Sequence, residues 1–199
     1  MLAAAGRGIQ PWKNGGGVTS EIAVLPGEAP GADFEWRLSM AKVAEPAVFS
    51  HFAGIDRTLA VVSGRLALEL EHETRRIELS PDSVPIGFGG EALVVGTPIG
   101  GPVVDLNLMT RRGHWSGSIE RIASAEGTLP TSSQNAILLF TGAARLRWRG
   151  EEFALQPLDA VHIQDGADNS LNLETTAPAY LVKLFRGRFQ GKCPVTRAG

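Results

Sequence analysis

Apolar and polar residues alternate along most of this chain, and one order of strands and turns occurs twice. Thr58-Leu59-Ala60-Val61-Val62-Ser63-Gly64 and Arg65-Leu66-Ala67-Leu68-Glu69-Leu70-Glu71 read as two strands meeting at a Ser-Gly turn. Arg76-Ile77-Glu78-Leu79 alternates and is stopped by the turn Ser80-Pro81-Asp82-Ser83. Residues 92–96 and 103–109 are further strands, the second with Asp105 and Asn107 on one face and Leu106 and Leu108 on the other. The second half repeats this order. Residues 136–142 echo the strand ending at Gly64, Arg145-Leu146-Arg147-Trp148 echoes the strand after it, and 153–161 echoes the stretch from Ile77 to Val84. Residues 170–173 and 179–185 match the strands around Val94 and Leu106. Gly142 follows Gly64 by 78 residues, and Asp159 follows Asp82 by 77. A nearly constant offset over four or five strands marks an internal duplication.

Each unit has the layout of a small antiparallel jelly roll. Two copies in one chain resemble a bicupin, so the expected class is all-β, with two antiparallel jelly-roll sandwich or barrel repeats. Residues 1–113 would form the repeat carrying a ligand site, residues 114–199 a structural or associating repeat, and residues 110–135 the connection. The 24 glycines and 12 prolines are spread along the chain and leave little room for long helices. Residues 119–125 make at most a short helix, and Gly87-Phe88-Gly89-Gly90 and Gly100-Gly101-Pro102 read as β-turns. The alternative, one irregular sandwich with a coincidental repeat, leaves the paired offsets unexplained.

Composition excludes several classes of function. A net charge of -2 gives no electrostatic reason to expect nucleic acid or an acidic membrane surface. The one cysteine, Cys193, supports neither a disulfide framework nor a cysteine metal cluster. The start of the chain is too short and too weakly apolar for a signal peptide, and no run approaches a membrane span. The expected location is cytoplasmic.

The densest polar stretch is Pro11-Trp12-Lys13-Asn14-Gly15-Gly16-Gly17-Val18-Thr19-Ser20-Glu21-Ile22. Three consecutive glycines supply either a flexible hinge or a close backbone approach that a side chain would obstruct. They fit neither the phosphate-cradling loop nor the dinucleotide fingerprint. The four histidines, His51, His72, His114 and His162, include no closely spaced pair, and the strand after Gly64 carries Ala67, Leu68 and Glu69 where a cupin would place metal ligands. No metal and no cofactor are therefore expected. Elsewhere, Trp36-Arg37-Leu38-Ser39-Met40-Ala41 puts Arg37 and Ser39 on one strand face. If Arg37 faces inward it needs an anionic partner. Gly54-Ile55-Asp56-Arg57 reads as a turn into the next strand, where Asp56 and Arg57 either cap that turn or frame a pocket mouth. His51 lies close to these polar candidates in sequence. Inward polar residues on several jelly-roll strands converge on the barrel mouth, a preferred ligand location.

Four ordered motifs carry a resemblance to a known family: Trp12-Lys13-Asn14-Gly15-Gly16-Gly17-x-Thr19-x-Glu21-Ile22, Trp36-Arg37-x-Ser39-x-Ala41, Phe49-Ser50-x-Phe52-x-Gly54-Ile55-Asp56-Arg57, and Asp105-x-Asn107-x-Met109-x-Arg111-Arg112-Gly113. In this order they resemble the HutD/Ves family over residues 11–113, and the second repeat is consistent with it to about residue 186. The resemblance implies a bicupin without the usual cupin metal site, associated with histidine utilisation in bacteria. It also implies a regulatory or ligand-sensing role, limiting flux by binding an intermediate such as urocanate or a formylated or formiminated glutamate.

The leading expectation is a small-molecule-binding protein whose partner is a small anionic metabolite. Lys13, Arg37 and Arg57 would bind its carboxylate. Asn14, Thr19, Ser39 and Asn107 would read its polar groups, Trp12 would wall it, and Gly15 and Gly16 would let the backbone approach. Glu21, Asp56 and Asp105 either complete the site or pair with the same cations as a structural network. A metal-independent hydrolase, lyase or isomerase acting on a small organic acid is the alternative, with Glu21, Asp56, Asp105 and His51 as acid–base candidates. A third reading is an interaction protein whose second cupin supplies a homodimer face.

Overall fold

The structure is a computed structural model and describes residues 1–12, 16–27, 33–71, 76–123, 125–130, 135–148, 150–164 and 170–187. Among them are eighteen strands and no helix. The first ten are β1 (Ile9–Pro11), β2 (Gly17–Pro26), β3 (Phe34–Val43), β4 (Ala47–Val48), β5 (Ile55–Ser63), β6 (Leu66–Leu70), β7 (Ile77–Leu79), β8 (Ile86–Gly89), β9 (Val94–Pro98) and β10 (Val103–Arg111). Then come β11 (Trp115–Ile122), β12 (Ala125–Pro130), β13 (Asn135–Phe140), β14 (Ala144–Trp148), β15 (Glu151–Leu155), β16 (Ala160–Gln164), β17 (Ser170–Thr175) and β18 (Ala179–Arg186). No helix of the described residues is long and apolar enough to cross a membrane.

The chain divides into two compact units, one built on Gly8–Ser116 and the other on Met1–Arg7 with Gly117–Arg186. The N-terminal segment joins the second unit through a bridge between Leu2 and Ala160 and a 2.7 Å bond from the Ala4 N–H to Asp159 Oδ1. In the first unit one sheet runs β1-β2-β3-β10-β5-β8 and the other β4-β9-β6-β7. In the second unit the sheets run β11-β18-β13-β16 and β12-β17-β14-β15. Adding eight to each strand number of β3-β10-β5-β8 and β4-β9-β6-β7 gives the second pair of sheets. The fold is therefore an all-β bicupin in which one antiparallel jelly roll occurs twice, with β1 and β2 added to the edge of the first.

The repeated turn shows the register of the duplication. Ser80 N–H bonds to Ser83 Oγ at 2.9 Å, and Gln156 N–H bonds to Asp159 Oδ2 at 2.9 Å. Both turns close with a 3.0 Å backbone bond, Ser83 N–H to Ser80 O and Asp159 N–H to Gln156 O. The counterpart of Asp159 is thus Ser83 and not its neighbour Asp82. A hydroxyl and a carboxylate satisfy the same orphan N–H, which is why identity alone pairs the wrong residues.

Three local expectations are corrected. Gly87, Phe88 and Gly89 belong to β8, where Phe88 pairs with Arg57 and is buried in the core, so this glycine-rich run is a strand and not a turn. Residues 119–122 lie in β11, so the expected short helix is a strand, and the supposed connection of residues 110–135 carries β11 and β12. β5 begins at Ile55, so Asp56 and Arg57 are strand residues. That last correction matters for function, because strand alternation then puts Arg57, Leu59 and Val61 on one face.

The two interiors differ. The second is filled by leucine, phenylalanine, alanine and other apolar side chains of β13, β14, β16 and β18, including Leu138, Phe140, Leu146 and Leu181. In the first, Leu59, Val61, Leu66, Leu68, Val94 and Val103 fill one end. Toward the other end the same face turns polar. Val103 and Ala179 open the equivalent strands β10 and β18 in the two cores, so Asp105 corresponds to Leu181. Asp105 stands opposite Val61, as Leu181 stands opposite Leu138.

Candidate functional site

Strand register assembles the polar face of the first unit. Met109 on the central strand β10 is opposite Arg37 on β3 and Arg57 on β5. Asn107 is opposite Ser39 and Leu59, and Asp105 opposite Ala41 and Val61. Alternation turns these residues to the side opposite Leu38, Met40, Leu106 and Leu108, which are themselves buried. Both faces of β3 and β10 are thus covered, and Ser39, Asp105 and Asn107 are buried polar residues. With Trp12 and Thr19, the side chains of Arg37, Ser39, Arg57, Asp105 and Asn107 line a cavity of about 580 Å³. That is within the usual range for small-molecule sites.

Two arginines define its chemistry. Arg57 is 5% exposed. Its guanidinium carbon lies 4.7 Å from the centre of the Phe49 ring and 5.3 Å from that of Phe88, which meet edge to face. It donates to Ser50 O at 3.3 Å and, at the limit of hydrogen bonding, to Asn107 Oδ1 at 3.5 Å. Arg37 is held in the same manner, 5.1 Å from the Phe34 ring centre and 5.5 Å from that of Phe52, with a 3.4 Å contact to Met109 Sδ. Its Nε is buried and, among the described residues, has no hydrogen-bond partner. Among the described residues neither arginine has a carboxylate within ion-pair distance. Aromatic faces offset part of the desolvation, by up to about 2 kcal/mol per desolvated pair, but do not neutralise a cation. Burial therefore pulls Arg57 down to about 10, with Asp105 opposing and Arg37 adding to the fall. Burial lowers Arg37 too, against the fields of Glu21 and Asp33.

Asp105 is 1% exposed. Burial lifts its carboxyl to about 7, against the field of Arg57 and the hydrogen bond from the Ala41 N–H. Among the described residues its Oδ1 has no hydrogen-bond partner. Two cations without carboxylate partners among the described residues, and an acid lifted toward neutrality, face one cavity.

The glycine-rich stretch contributes a wall. Trp12 N–H bonds to Gly17 O at 2.9 Å, Ala44 N–H to Gly16 O at 3.0 Å, and Trp12 Nε1–H to Thr19 Oγ1 at 2.8 Å. Gly17 is where a side chain would obstruct, because a Cβ there would sit 2.6 Å from Lys42 O and 3.0 Å from the Trp12 ring. Gly17→Ala is expected to destabilise the protein by about 1–3 kcal/mol, as overpacking does. Urea unfolding would show the lower midpoint, and an unchanged midpoint would mean that Trp12 does not rest on Gly17. Lys13, Asn14 and Gly15 lie outside the described residues.

Other sequence candidates stand elsewhere. Glu21 is exposed on β2, opposite Ser39 in register, and does not line the cavity. His51 is exposed, although its neighbours Phe49, Ser50 and Phe52 line the cavity. Asp56, one residue from Arg57, points to the other side of β5 and pairs with Arg112 at 2.8 Å. Arg112 also pairs with Glu91 at 2.9 Å, holding Glu91 down to about 2, and Glu91 accepts the Gly54 N–H at 2.7 Å. Asp56 thus belongs to a network that ties down the turn before β5. Sequence reasoning missed the four phenylalanines that hold the arginines. The available signal was the spacing of Phe49 and Phe52 just ahead of Arg57.

Among the described residues no group of three His, Cys, Asp or Glu side chains is placed to hold a metal ion. Metal-binding cupins need convergent N or O donors, whereas this cavity sets two guanidinium cations beside one aspartate. The residues present do not fit a metal.

The duplicated jelly roll and this cavity define a bicupin whose first unit has a cationic, aromatic-lined site. The HutD family model matches residues 6–181, and the chain belongs to the HutD family. It is 34% identical to a 21.2 kDa protein in the hutC 3' region of Pseudomonas putida, over 92% of this chain and 96% of that one. It is 32% identical to protein Ves of Citrobacter koseri, over 69% of this chain and 71% of that one. The structure of HutD from Pseudomonas fluorescens SBW25 (formate condition) superposes with a TM-score of 0.76 at 27% identity, covering 93% of this chain and 97% of that one. A cupin 2 conserved barrel domain protein from Leptotrichia buccalis, at 10% identity and TM-score 0.55 over 85% of this chain and 88% of that one, shares the fold.

Proposed function

We propose that this protein binds a small carboxylate metabolite in the cavity of its first cupin unit, and through that binding senses or limits flux in histidine utilisation. One observation carries the reading: Arg37 and Arg57 face a cavity with their cations held by aromatic rings and, among the described residues, no carboxylate in ion-pair reach. An anionic ligand supplies what the fold withholds, through charge-assisted bonds to the guanidinium groups. Asn107, Ser39 and the Trp12 ring complete a site for an acid with a polar or planar body. Membership of the HutD family and the likeness to a protein in a hutC 3' region support the pathway. Urocanate, formylglutamate and formiminoglutamate are the acids to test first. The second cupin, with its filled core, serves structure or association.

Thermal-shift and calorimetric screening with histidine, urocanate, N-formylglutamate and glutamate tests this. The expected result is a rise in melting temperature with at least one pathway acid and none with histidine alone. No shift with any of them at millimolar concentration contradicts ligand sensing in this pathway.

Asp105 favours a second reading, catalysis on a small acid, because a buried carboxyl lifted to about 7 suits general acid–base chemistry. Turnover that vanishes in Asp105→Asn while binding survives would support it.

A further inference from the structure

Asp105 is the cavity residue whose state the binding of an anion must change. The arginines could have been neutralised internally by this aspartate, yet neither lies within ion-pair distance of it. Arg57 directs donors to Ser50 O and Asn107 Oδ1, and Arg37 contacts Met109 Sδ. Among the described residues the aspartate's Oδ1 is left without a partner, on a residue that lines the cavity and is 1% exposed. The ionisable groups around it are few. Arg57 faces it from β5, Arg37 adds positive charge from β3, and Glu21 on β2 acts on Arg37 from outside the cavity. From the opposite sheet Ala47, Val48 and Gly96 line the cavity, and no ionisable side chain does so among the described residues.

An ionised Asp105 would oppose the entry of a carboxylate. Two carboxylates sharing a poorly hydrated site cannot both stay charged at small cost, and one of them takes a proton. The unpartnered oxygen is the natural place for it. We propose that Asp105 enters the complex as the protonated acid and donates its hydrogen bond to the bound anion, so that capture of a carboxylate by Arg37 and Arg57 takes up one proton. This rests on the carboxylate reading of the cavity and gives Asp105 a specificity role within it. A protonated Asp105 offers a donor that suits an anionic acceptor and rejects a cationic N–H group. Its resting position near neutrality, with the carboxyl lifted to about 7, leaves that proton to be acquired when the anion binds.

The test is calorimetric titration of the full chain with N-formylglutamate, whose two carboxyl groups stay ionised throughout the neutral range. Titrations at one pH in phosphate and in Tris, which differ in ionisation enthalpy, count the protons exchanged. Wild type is expected to take up close to one proton per ligand on the alkaline side of neutrality. Its affinity should fall about tenfold per pH unit from about pH 7.5 to 8.5, and level off below about pH 6, as linkage of one proton requires. Asp105→Asn carries an uncharged amide donor in the same place and should bind with no proton uptake and an affinity independent of pH. Proton release, or binding by wild type without uptake, overturns the proposal while leaving the carboxylate site standing. So does a pH slope that persists unchanged in Asp105→Asn. Absence of N-formylglutamate binding by wild type at millimolar concentration overturns both this role and its choice as a pathway ligand, and a shift with urocanate alone would keep the carboxylate reading. The wild-type proton count decides even if the variant does not fold.

Discussion

Replacing Arg57 with methionine is expected to weaken N-formylglutamate binding at least about a hundredfold, a loss of two charge-assisted hydrogen bonds worth about 1.5–3 kcal/mol each, while leaving the protein as stable as wild type or more so. The two effects come from the same geometry. Arg57 is 5% exposed and, among the described residues, has no carboxylate in ion-pair reach, so the folded chain bears its desolvation without a compensating ion pair. Methionine keeps much of the length and the contact with Phe49 and Phe88 without the charge. Replacing a buried charged residue with an apolar one of similar volume is often neutral or stabilising, by about 1–4 kcal/mol. Lysine, which keeps the charge but not the planar fork that rests between two rings, should recover only part of the affinity. Calorimetry with Arg57→Met, beside a urea unfolding curve, checks both halves. Wild-type affinity would show that Arg57 is not a ligand contact, and a large loss of stability would show that it holds the core.

The second large effect concerns Asp105 and pH. With its carboxyl lifted from an ordinary 3.8 to about 7 in the folded chain, the ionised residue costs the protein about 4 kcal/mol. The sign follows from proton counting. Between about pH 4 and 7 the folded chain holds a proton that the unfolded chain has released, so wild-type stability declines as pH rises through that window and is flat above it. Asparagine is not ionised in either state. Asp105→Asn should therefore melt higher than wild type at pH 8, by roughly 8–16 °C for a chain of this size. The gap should narrow as pH drops below about 7 and close toward pH 4. Equal melting temperatures at pH 8 would mean that Asp105 is solvated or neutralised in the folded protein. A binding residue that lowers stability when no ligand is bound is the expected exchange between stability and function.

The fold could be read far into the sequence because jelly-roll strands announce themselves by alternation and turns. Thr58 to Leu70, Ile77 to Leu79 and Val103 to Met109 combine apolar or alternating runs with turn residues, and their echo after Asn135 revealed the duplication. Elements without that pattern stayed hidden. Ile86 to Gly89 is a strand despite its glycines, since its backbone pairs with β5 and Phe88 alone supplies core packing. Trp115 to Ile122 mixes small and charged residues in a strand with one buried side, which a helical reading fits as well. For the site, alternation placed Asp105 with Asn107 and Arg37 with Ser39, and the strand pairing then put both pairs over one cavity. Asp56 and His51 were drawn in by proximity in sequence, but adjacent strand residues point to opposite sides, and Asp56 went to Arg112 instead. The expectation that an inward arginine must meet an anion is not met among the described residues. Phenylalanines from β3, β8 and the segment before β5 took that place; Phe34 and Phe49 lie close in sequence to the arginines they meet, whereas the Arg37–Phe52 and Arg57–Phe88 contacts join distant residues that no local pattern encodes.

The arginine pair of the first cupin is the proposed binding place of an anionic metabolite. A crystal structure of the protein soaked with N-formylglutamate tests it most directly. Ligand density is expected in the cavity beneath Trp12, with a carboxylate within hydrogen-bond distance of the Arg37 or Arg57 guanidinium and an acceptor facing Asp105 Oδ1. Ligand bound elsewhere, or a cavity holding only solvent when calorimetry shows the protein saturated, would contradict it.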